Sequence, residues 1–376
     1  MNTIFQLINK ILSEKFGDLR IWPEKTIIID TTNGDIDGYS FLLFSGEKEM
    51  PECIAKLART GQGRMVYGIE HENLVQLGNL GMNRRFQAVP VSLGKWEDEE
   101  LLITIQSALP GVLMKNAPGK KLFSRSVIPG TLGMVSAWLE EFQSLYGISR
   151  VKIDDIIYRQ RVLEPLNLFR NRYMLSDEDD RFLSEIFEER SSLLGQEIPF
   201  MVRHGDFCAA NIMMMPGNIG VFDWEFPIEH FFPLYDLFYF FSSLRFPFSG
   251  LRGETNHIRS FQRIFWGDGY IHGLMCERIQ ETCIQLDMPS TLVPELFLVS
   301  LIDVANLKYR SLEDSNSVRW ELDVDQLVPD HEKMKRWSTF ESPDMDAPFA
   351  CVNNGVFENI KICAMKGLPD FTGLRY

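Results

Sequence analysis

The stretch FMVRHGDFCAANIMMMPGNIGVFDWEFPIEHFFPLYDLFYFF, Phe200 to Phe241, decides how the chain is read. Two short apolar runs, Ile212–Met215 and Ile219–Phe222, flank Pro216-Gly217-Asn218. Apolar runs separated by a Pro/Gly/Asn cluster are the pattern of a β-hairpin. Oxygen-bearing side chains stand at its outer edges: Asp206 and Asn211 before the first strand, Asp223 and Glu225 after the second. A hairpin with oxygen ligands at both ends suits a hard cation and phosphate better than it suits packing.

Working outward, residues 5–16 carry helical periodicity through Ile8, Ile11 and Leu12. Ile27–Ile29, Tyr39–Phe44 and Cys53–Leu57 read as three strands in succession. A helix is expected around Glu70–Leu80, then strands at Gln87–Leu93 and Leu101–Gln106, the last ending in the breaker Ala108-Leu-Pro-Gly111. Beyond it the pattern turns helical. Leu132–Tyr146 puts Met134, Trp138, Phe142 and Leu145 on one face, and Asp177–Leu194 follows a Ser176 N-cap. Further helices are expected over roughly 234–245, 256–286 and 290–310, and beyond about residue 321 no pattern emerges. The fold class is α+β: a small antiparallel-sheet lobe with one main helix over 1–107, and a larger, mostly helical lobe over 108–376.

At 376 residues the chain could hold two or three ordinary domains or one two-lobed enzyme, and 45% apolar with 24% charged residues is the composition of a soluble globular protein. A formal net charge of −14 argues against nucleic acid as a partner, because a phosphate backbone needs a basic stripe. The acidic balance is compatible with a cationic small substrate, and equally with solubility through net charge. The most apolar window, Phe226–Phe248, is too interrupted by prolines and charges to span a bilayer. Met1–Gly17 lacks the unbroken apolar core of a signal peptide. Six scattered cysteines form no C-x-x-C pair, so neither a disulfide framework nor a zinc site is expected, and a reducing cytoplasm is the natural compartment.

Few chemistries explain the hairpin. His204-Gly205-Asp206, an Asn five residues after that Asp, and Asp223 beyond the turn match the kinase phosphoryl-transfer template. There one Asp takes the acceptor hydroxyl proton, while an Asn and a second Asp hold Mg²⁺ against the nucleotide phosphates. HGDFCAAN, then VFDWE, then PLYDLF resembles the aminoglycoside phosphotransferase and choline kinase-like family, with its H-G-D-x-x-x-x-N, hydrophobic-Asp-x-Glu/Asp and P-x-x-D-L elements in order. The resemblance implies a bilobal protein-kinase-like fold and ATP and Mg²⁺ as cofactors. It implies Asp206 as catalytic base, and Asn211, Asp223 and Glu225 around the metal. It makes His204 a brace for the catalytic loop and Asp236 a structural carboxylate tying the following helix to that loop.

The first lobe supplies the rest. Lys56 stands inside the apolar run Cys53–Leu57, where an ammonium is costly unless paired. In the kinase template this is the strand lysine on the α/β-phosphates, paired with a helix carboxylate; Glu70 and Glu72 both qualify. The family's R-E-x-x-x-L-x-x-L pattern selects Glu70, with Ile69 where the family has Arg. The same resemblance makes Leu101–Ser107 the hinge strand, with main-chain groups of Gln106, Ser107 and Ala108 meeting the adenine edge. No G-x-G-x-x-G is present; Thr31–Gly38 holds only Gly34 and Gly38, with Thr32 and Ser40 as candidate phosphate donors beside acidic Asp35 and Asp37.

The function expected is Mg·ATP-dependent transfer of the γ-phosphoryl group to a hydroxyl of a small molecule: an aminoglycoside, amino alcohol, amino acid or sugar. Asp303, with Glu321, Asp323 and Asp325, is a candidate acidic pocket for an amine-bearing acceptor. An inactive kinase fold serving as a scaffold is the alternative, weakened because Lys56, Asp206, Asn211 and Asp223 are all present. A protein kinase is less favoured, since H-R-D, D-F-G and A-P-E are missing. The Walker pattern is missing too: its nearest approach, Gly119-Lys120-Lys121, has Met114 at the leading Gly and lacks the hydroxyl residue.

Overall fold

The computed structural model describes residues 3–16, 25–30, 38–46, 48–58, 60–82, 88–99, 101–116, 124–246, 253–314, 336–337 and 350–372. The chain divides into two compact units: Met1–Val112 with Met213–Pro227 and Ser311–Asp346, and Leu113–Ile212 with Ile228–Arg310 and Ala347–Tyr376.

The first unit is built on a sheet of β1 (Lys25–Asp30), β2 (Gly38–Phe44), β3 (Cys53–Ala58), β4 (Ser92–Glu97) and β5 (Leu102–Ser107). Its order is β1-β2-β3-β5-β4, with neighbours antiparallel; Arg336–Trp337 adds two residues parallel to β1 at the edge. Alternation sorts the side chains by face. Tyr39, Phe41 and Leu43 of β2 and Cys53, Ala55 and Leu57 of β3 join one apolar cluster with Ile4, Ile8, Ile11 and Leu12 of α1 (Thr3–Phe16). Burial of those four α1 residues, at about 1.5–3 kcal/mol each, holds a 14-residue helix that would be marginal alone. Lys56 alternates with Ala55 and Leu57 and so points to the opposite face, in register with Ser40 and Thr104.

Helix α2 (Gly61–Asn79) begins nine residues before its expected start. Thr60 is its N-cap, its hydroxyl accepting the Gly63 N–H at 3.0 Å. Gly61, Gly63 and Gly68 dilute the apolar period there, which hid that half of the helix from the sequence. The fourth strand likewise lies later than expected, at Ser92–Glu97 in place of Gln87–Leu93.

The hairpin forms where expected, Ile212–Met215 pairing with Asn218–Val221. Pro216 and Gly217 (φ +75°) occupy its turn, the Pro-Gly order of a type II turn. Gly111, after β5, has φ +109°, and a Cβ there would sit 2.3 Å from the Met214 carbonyl oxygen. Gly111→Ala is therefore expected to destabilise the protein by about 1–3 kcal/mol, read as a lower denaturation midpoint. An unchanged midpoint would mean the chain can move aside freely here.

The second unit is mostly helical: α3 (Ile128–Tyr146), α4 (Glu164–Arg172), α5 (Asp177–Ser184), α6 (Tyr235–Ser243), α7 (Gly253–Phe265), α8 (Tyr270–Gln285), α9 (Val293–Asp314) and α10 (Ala350–Lys366). The expected helix over 256–286 is split between Phe265 and Tyr270, where a side chain on Gly267 would meet the Arg263 carbonyl at 2.2 Å. The expected helix Asp177–Leu194 ends its regular part at Ser184 and continues through a π-type segment, Glu185–Glu189. A three-stranded antiparallel sheet went unpredicted: β6 (Ser149–Lys152), β7 (Glu197–Val202) and β8 (His230–Phe231), with β7 in the middle. It matters because β7 runs straight into His204. Phe297 stacks with Phe261 and Phe265 and meets Phe238 and Phe371 edge-on. The window Ser290–Leu307 is apolar enough to cross a membrane, but 72% of it is buried, as in a core helix.

Candidate active site

In the first unit, β3 and α2 place a half-buried cation between carboxylates. Lys56 Nζ donates to both Glu70 oxygens, at 2.8 and 2.7 Å, and stands 3.4 Å from Asp223 Oδ1. It also lies 5.4 Å from the centroid of the Tyr67 ring. Burial works against the ammonium, but Glu70 and Asp223 overcome it and hold Lys56 above its ordinary pKa. Burial pushes Glu70 above the usual carboxylate range against the pull of Lys56. Of the two candidate partners, Glu70 is 2% exposed and paired, while Glu72 is solvent-facing. Tyr67, Glu70 and Asn73 recur every three residues and so share a helix face.

Asp223 follows the second hairpin strand with φ +71°, a left-handed conformation uncommon outside glycine and tolerated by Asp. Its loop is clamped. Asn73 Nδ2 donates to the Trp224 and Phe226 carbonyls, both at 2.8 Å, and the fully buried Trp224 donates Nε1–H to Val221 O at 3.1 Å. Carboxylate oxygens of Asp223 and Glu225 lie within 4.8 Å of one another. Two neighbouring carboxylates are the donor chemistry of a hard divalent cation, so these residues fit Mg²⁺.

The expected hinge residues have other commitments. The Gln106 side chain hydrogen-bonds Glu70. The Ser107 N–H goes to Val91 O at 2.9 Å, and the Ala108 N–H to Glu52 O at 2.8 Å. Both donors are spent on strand pairing, so of the main-chain groups of these two residues only the carbonyls suit a ligand edge. Of the expected phosphate loop, Ser40 stands opposite Lys56; Thr32, Gly34, Asp35 and Asp37 lie outside the described residues.

In the second unit, the loop after β7 carries His204, Asp206 and Asn211, all buried. Asn211 Nδ2 donates to the Asp206 carbonyl at 3.0 Å and to its Oδ2 at 2.7 Å. With its N–H groups so used, the amide oxygen of Asn211 is the atom left for a cation. The His204 ring accepts the Asp206 N–H at 3.2 Å. From α6, Asp236 accepts the N–H groups of His204 at 2.8 Å and Gly205 at 3.1 Å. Phe207 anchors the loop below, stacked on Trp138 of α3 at 5.4 Å.

Asp236 is 1% exposed, and burial raises its pKa even though His204 and the two N–H bonds favour the anion. Asp236→Asn turns one acceptor oxygen into a donor facing an N–H. It is expected to cost about 1–3 kcal/mol, read as a lower denaturation midpoint. An unchanged midpoint would remove Asp236 from the support of this loop.

Sequence reasoning missed Asn73 and Arg203. A buried amide one turn after Glu70 was the available signal for the first. Arg203 has none of its own: it packs 4.0 Å over the Phe231 ring and 4.6 Å over Tyr235. Its Nη1 donates to Asp303 and its Nη2 to Glu229 at 2.6 Å. Asp303, expected to line an acidic pocket, is thus neutralised by Arg203. Its expected companions Glu321, Asp323 and Asp325 lie outside the described residues.

Among the described residues the fold is an antiparallel N-terminal sheet followed by a mostly helical remainder. A model of the phosphotransferase enzyme family matches residues 36–262, and the chain belongs to that family. No curated protein sequence matches the chain. Similar solved structures include aminoglycoside phosphotransferase APH(3'')-Id from Streptomyces rimosus, with 13% identity, a TM-score of 0.41, and 71% of this chain and 89% of that one covered. The same enzyme in complex with ADP and streptomycin gives 13%, 0.42, and coverage of 81% and 98%. An aminoglycoside-3'-phosphotransferase of type VIII gives 16%, 0.43, and coverage of 81% and 99%.

Proposed function

We propose that the protein is a Mg·ATP-dependent kinase that moves the γ-phosphoryl group to a hydroxyl of a small molecule. The observation that carries this reading is Lys56, half-buried and set between Glu70 and Asp223. A desolvated ammonium set on two carboxylates, one of them beside a second metal-type carboxylate, has a direct use where triphosphate and cation meet.

In this reading residues 1–107 form the nucleotide-binding lobe, and Lys56 binds the α/β-phosphates while Glu70 fixes its direction. Asp223 and Glu225 of the first unit would hold the metal, which when bound would neutralise charge on the phosphate oxygens, and in the second unit Asn211 offers its amide oxygen to a cation. Asn211 and the His204 ring keep Asp206 in one orientation. Asp206 accepts the hydroxyl proton as the acceptor oxygen bonds to the γ-phosphorus and the bond to the β,γ-bridging oxygen breaks, releasing ADP. No phospho-enzyme forms; positioning and charge supply the rate. The cytoplasm is the proposed compartment, in keeping with five buried free thiols, Cys53, Cys208, Cys276, Cys283 and Cys363.

The test is ADP release with Mg·ATP across a panel of hydroxyl compounds, repeated with chelator. Acceptor-dependent, chelator-sensitive turnover is expected. Tight Mg·ATP binding with no turnover on any acceptor would instead favour the scaffold.

A further inference from the structure

The kinase reading leaves the acceptor's charge open, and the second unit bears on it. Several of its buried or partly buried acidic groups are already committed. Arg203 holds Asp303 and Glu229, and Arg161 also lies 3.6 Å from Glu229. Asp236 is taken up by backbone N–H groups, and Glu295 by Ser191, Ser192 and Tyr158. No uncompensated carboxylate is left among these to receive an amine.

The uncommitted charge beside the loop is positive. The catalytic loop meets the end of α6 at Ser243, whose hydroxyl accepts the Ala209 N–H at 3.3 Å. Two residues on, Arg245 is exposed and spends only Nη1, on the Ser242 and Leu244 carbonyls at 2.9 and 3.1 Å. Among the described residues no carboxylate pairs with it; desolvation of the guanidinium by burial pulls its pKa down to about 10 against the smaller opposing effects of Tyr239 and Cys208, the latter two residues from Asp206. The other backbone group of Ala209, its carbonyl, accepts the Lys115 N–H at 3.0 Å. Lys115 is exposed and also makes no ion pair among the described residues. Among the described residues, two cations without a carboxylate partner therefore stand on the segments that hydrogen-bond Ala209.

We infer that Arg245, assisted by Lys115, anchors the acceptor, and that the acceptor is a hydroxyl compound bearing an anionic oxyacid group, a carboxylate or a phosphate ester. The inference rests on the kinase reading. A guanidinium with one nitrogen fixed on helix-end carbonyls is held in place, while its remaining N–H groups offer the fork that matches such oxyanions. The protein's net negative charge does not oppose this at contact range, because salt screens distant charges beyond about 8 Å.

The test compares matched hydroxyl compounds carrying a carboxylate, a phosphate ester, an amine or no charge, using the full chain and ADP release. Turnover is expected for the anionic compounds, with the active member separating carboxylate from phosphate. Arg245→Gln should raise their KM roughly ten-fold or more while leaving kcat and the KM for ATP within a few-fold. Arg245→Lys should recover part of the loss, and Lys115→Gln should shift KM in the same direction as Arg245→Gln. Preference for amine or neutral acceptors would overturn the inference. So would a fall in kcat shared by all acceptors, or a raised KM for ATP, since the cation would then serve the transferred phosphoryl group. If no compound is turned over, calorimetry of the anionic compounds without ATP distinguishes the two failures. Binding weakened by Arg245→Gln would retain the anionic site and sink the kinase; no binding would sink both.

Discussion

Asp206→Ala is expected to lower kcat by about 10²–10⁴-fold with little change in the affinity for Mg·ATP. The expectation follows from how the side chain is held. Its Oδ2 accepts from Asn211, its backbone N–H meets the His204 ring, and His204 is in turn fixed by Asp236 and by an edge contact with Phe207. Such a carboxylate has lost its freedom before any acceptor arrives, which is what a proton acceptor in a transition state requires. The loss should fall on the chemical step, so kcat and kcat/KM fall together. An unchanged kcat would remove Asp206 from the mechanism.

Asp223→Asn is expected to abolish the Mg²⁺-dependent part of ATP binding, measured by calorimetry with and without chelator. Asparagine is the informative replacement because it tolerates the left-handed backbone at φ +71° and keeps the side chain's size. Alanine would add strain to the loss of charge. Lys56 keeps Glu70 as partner, so folding should survive, and an unshifted denaturation midpoint checks that. A variant that binds Mg·ATP as the wild type does would refute the metal assignment.

The sheet and the hairpin were legible because two periodicities and one turn defined them: alternation in β2 and β3, and Pro-Gly between two apolar runs. Helix α2 was half legible; Leu74 and Leu77 marked its second half, while three glycines erased the signal in the first. The β6-β7-β8 sheet was not legible, since a four-residue strand and a two-residue strand carry too little alternation to detect. Glu70 as the partner of Lys56 could be anticipated from spacing within a known motif, whereas the bond from Asn211 to Asp206 emerged only from the loop's conformation. The partners of Arg203 could not be anticipated, because Asp303 and Glu229 reach it through tertiary packing across long stretches of chain.

Helix α2 carries a final consequence. Glu70 and Asn73 sit one turn apart on it, the first holding the ammonium of Lys56, the second gripping the carbonyls on either side of Glu225. A rigid rod cannot turn one of these groups away without turning the other. Charge pairing and loop shape therefore share a single mechanical coordinate, and the first unit has no way to set its lysine while leaving its acidic loop loose.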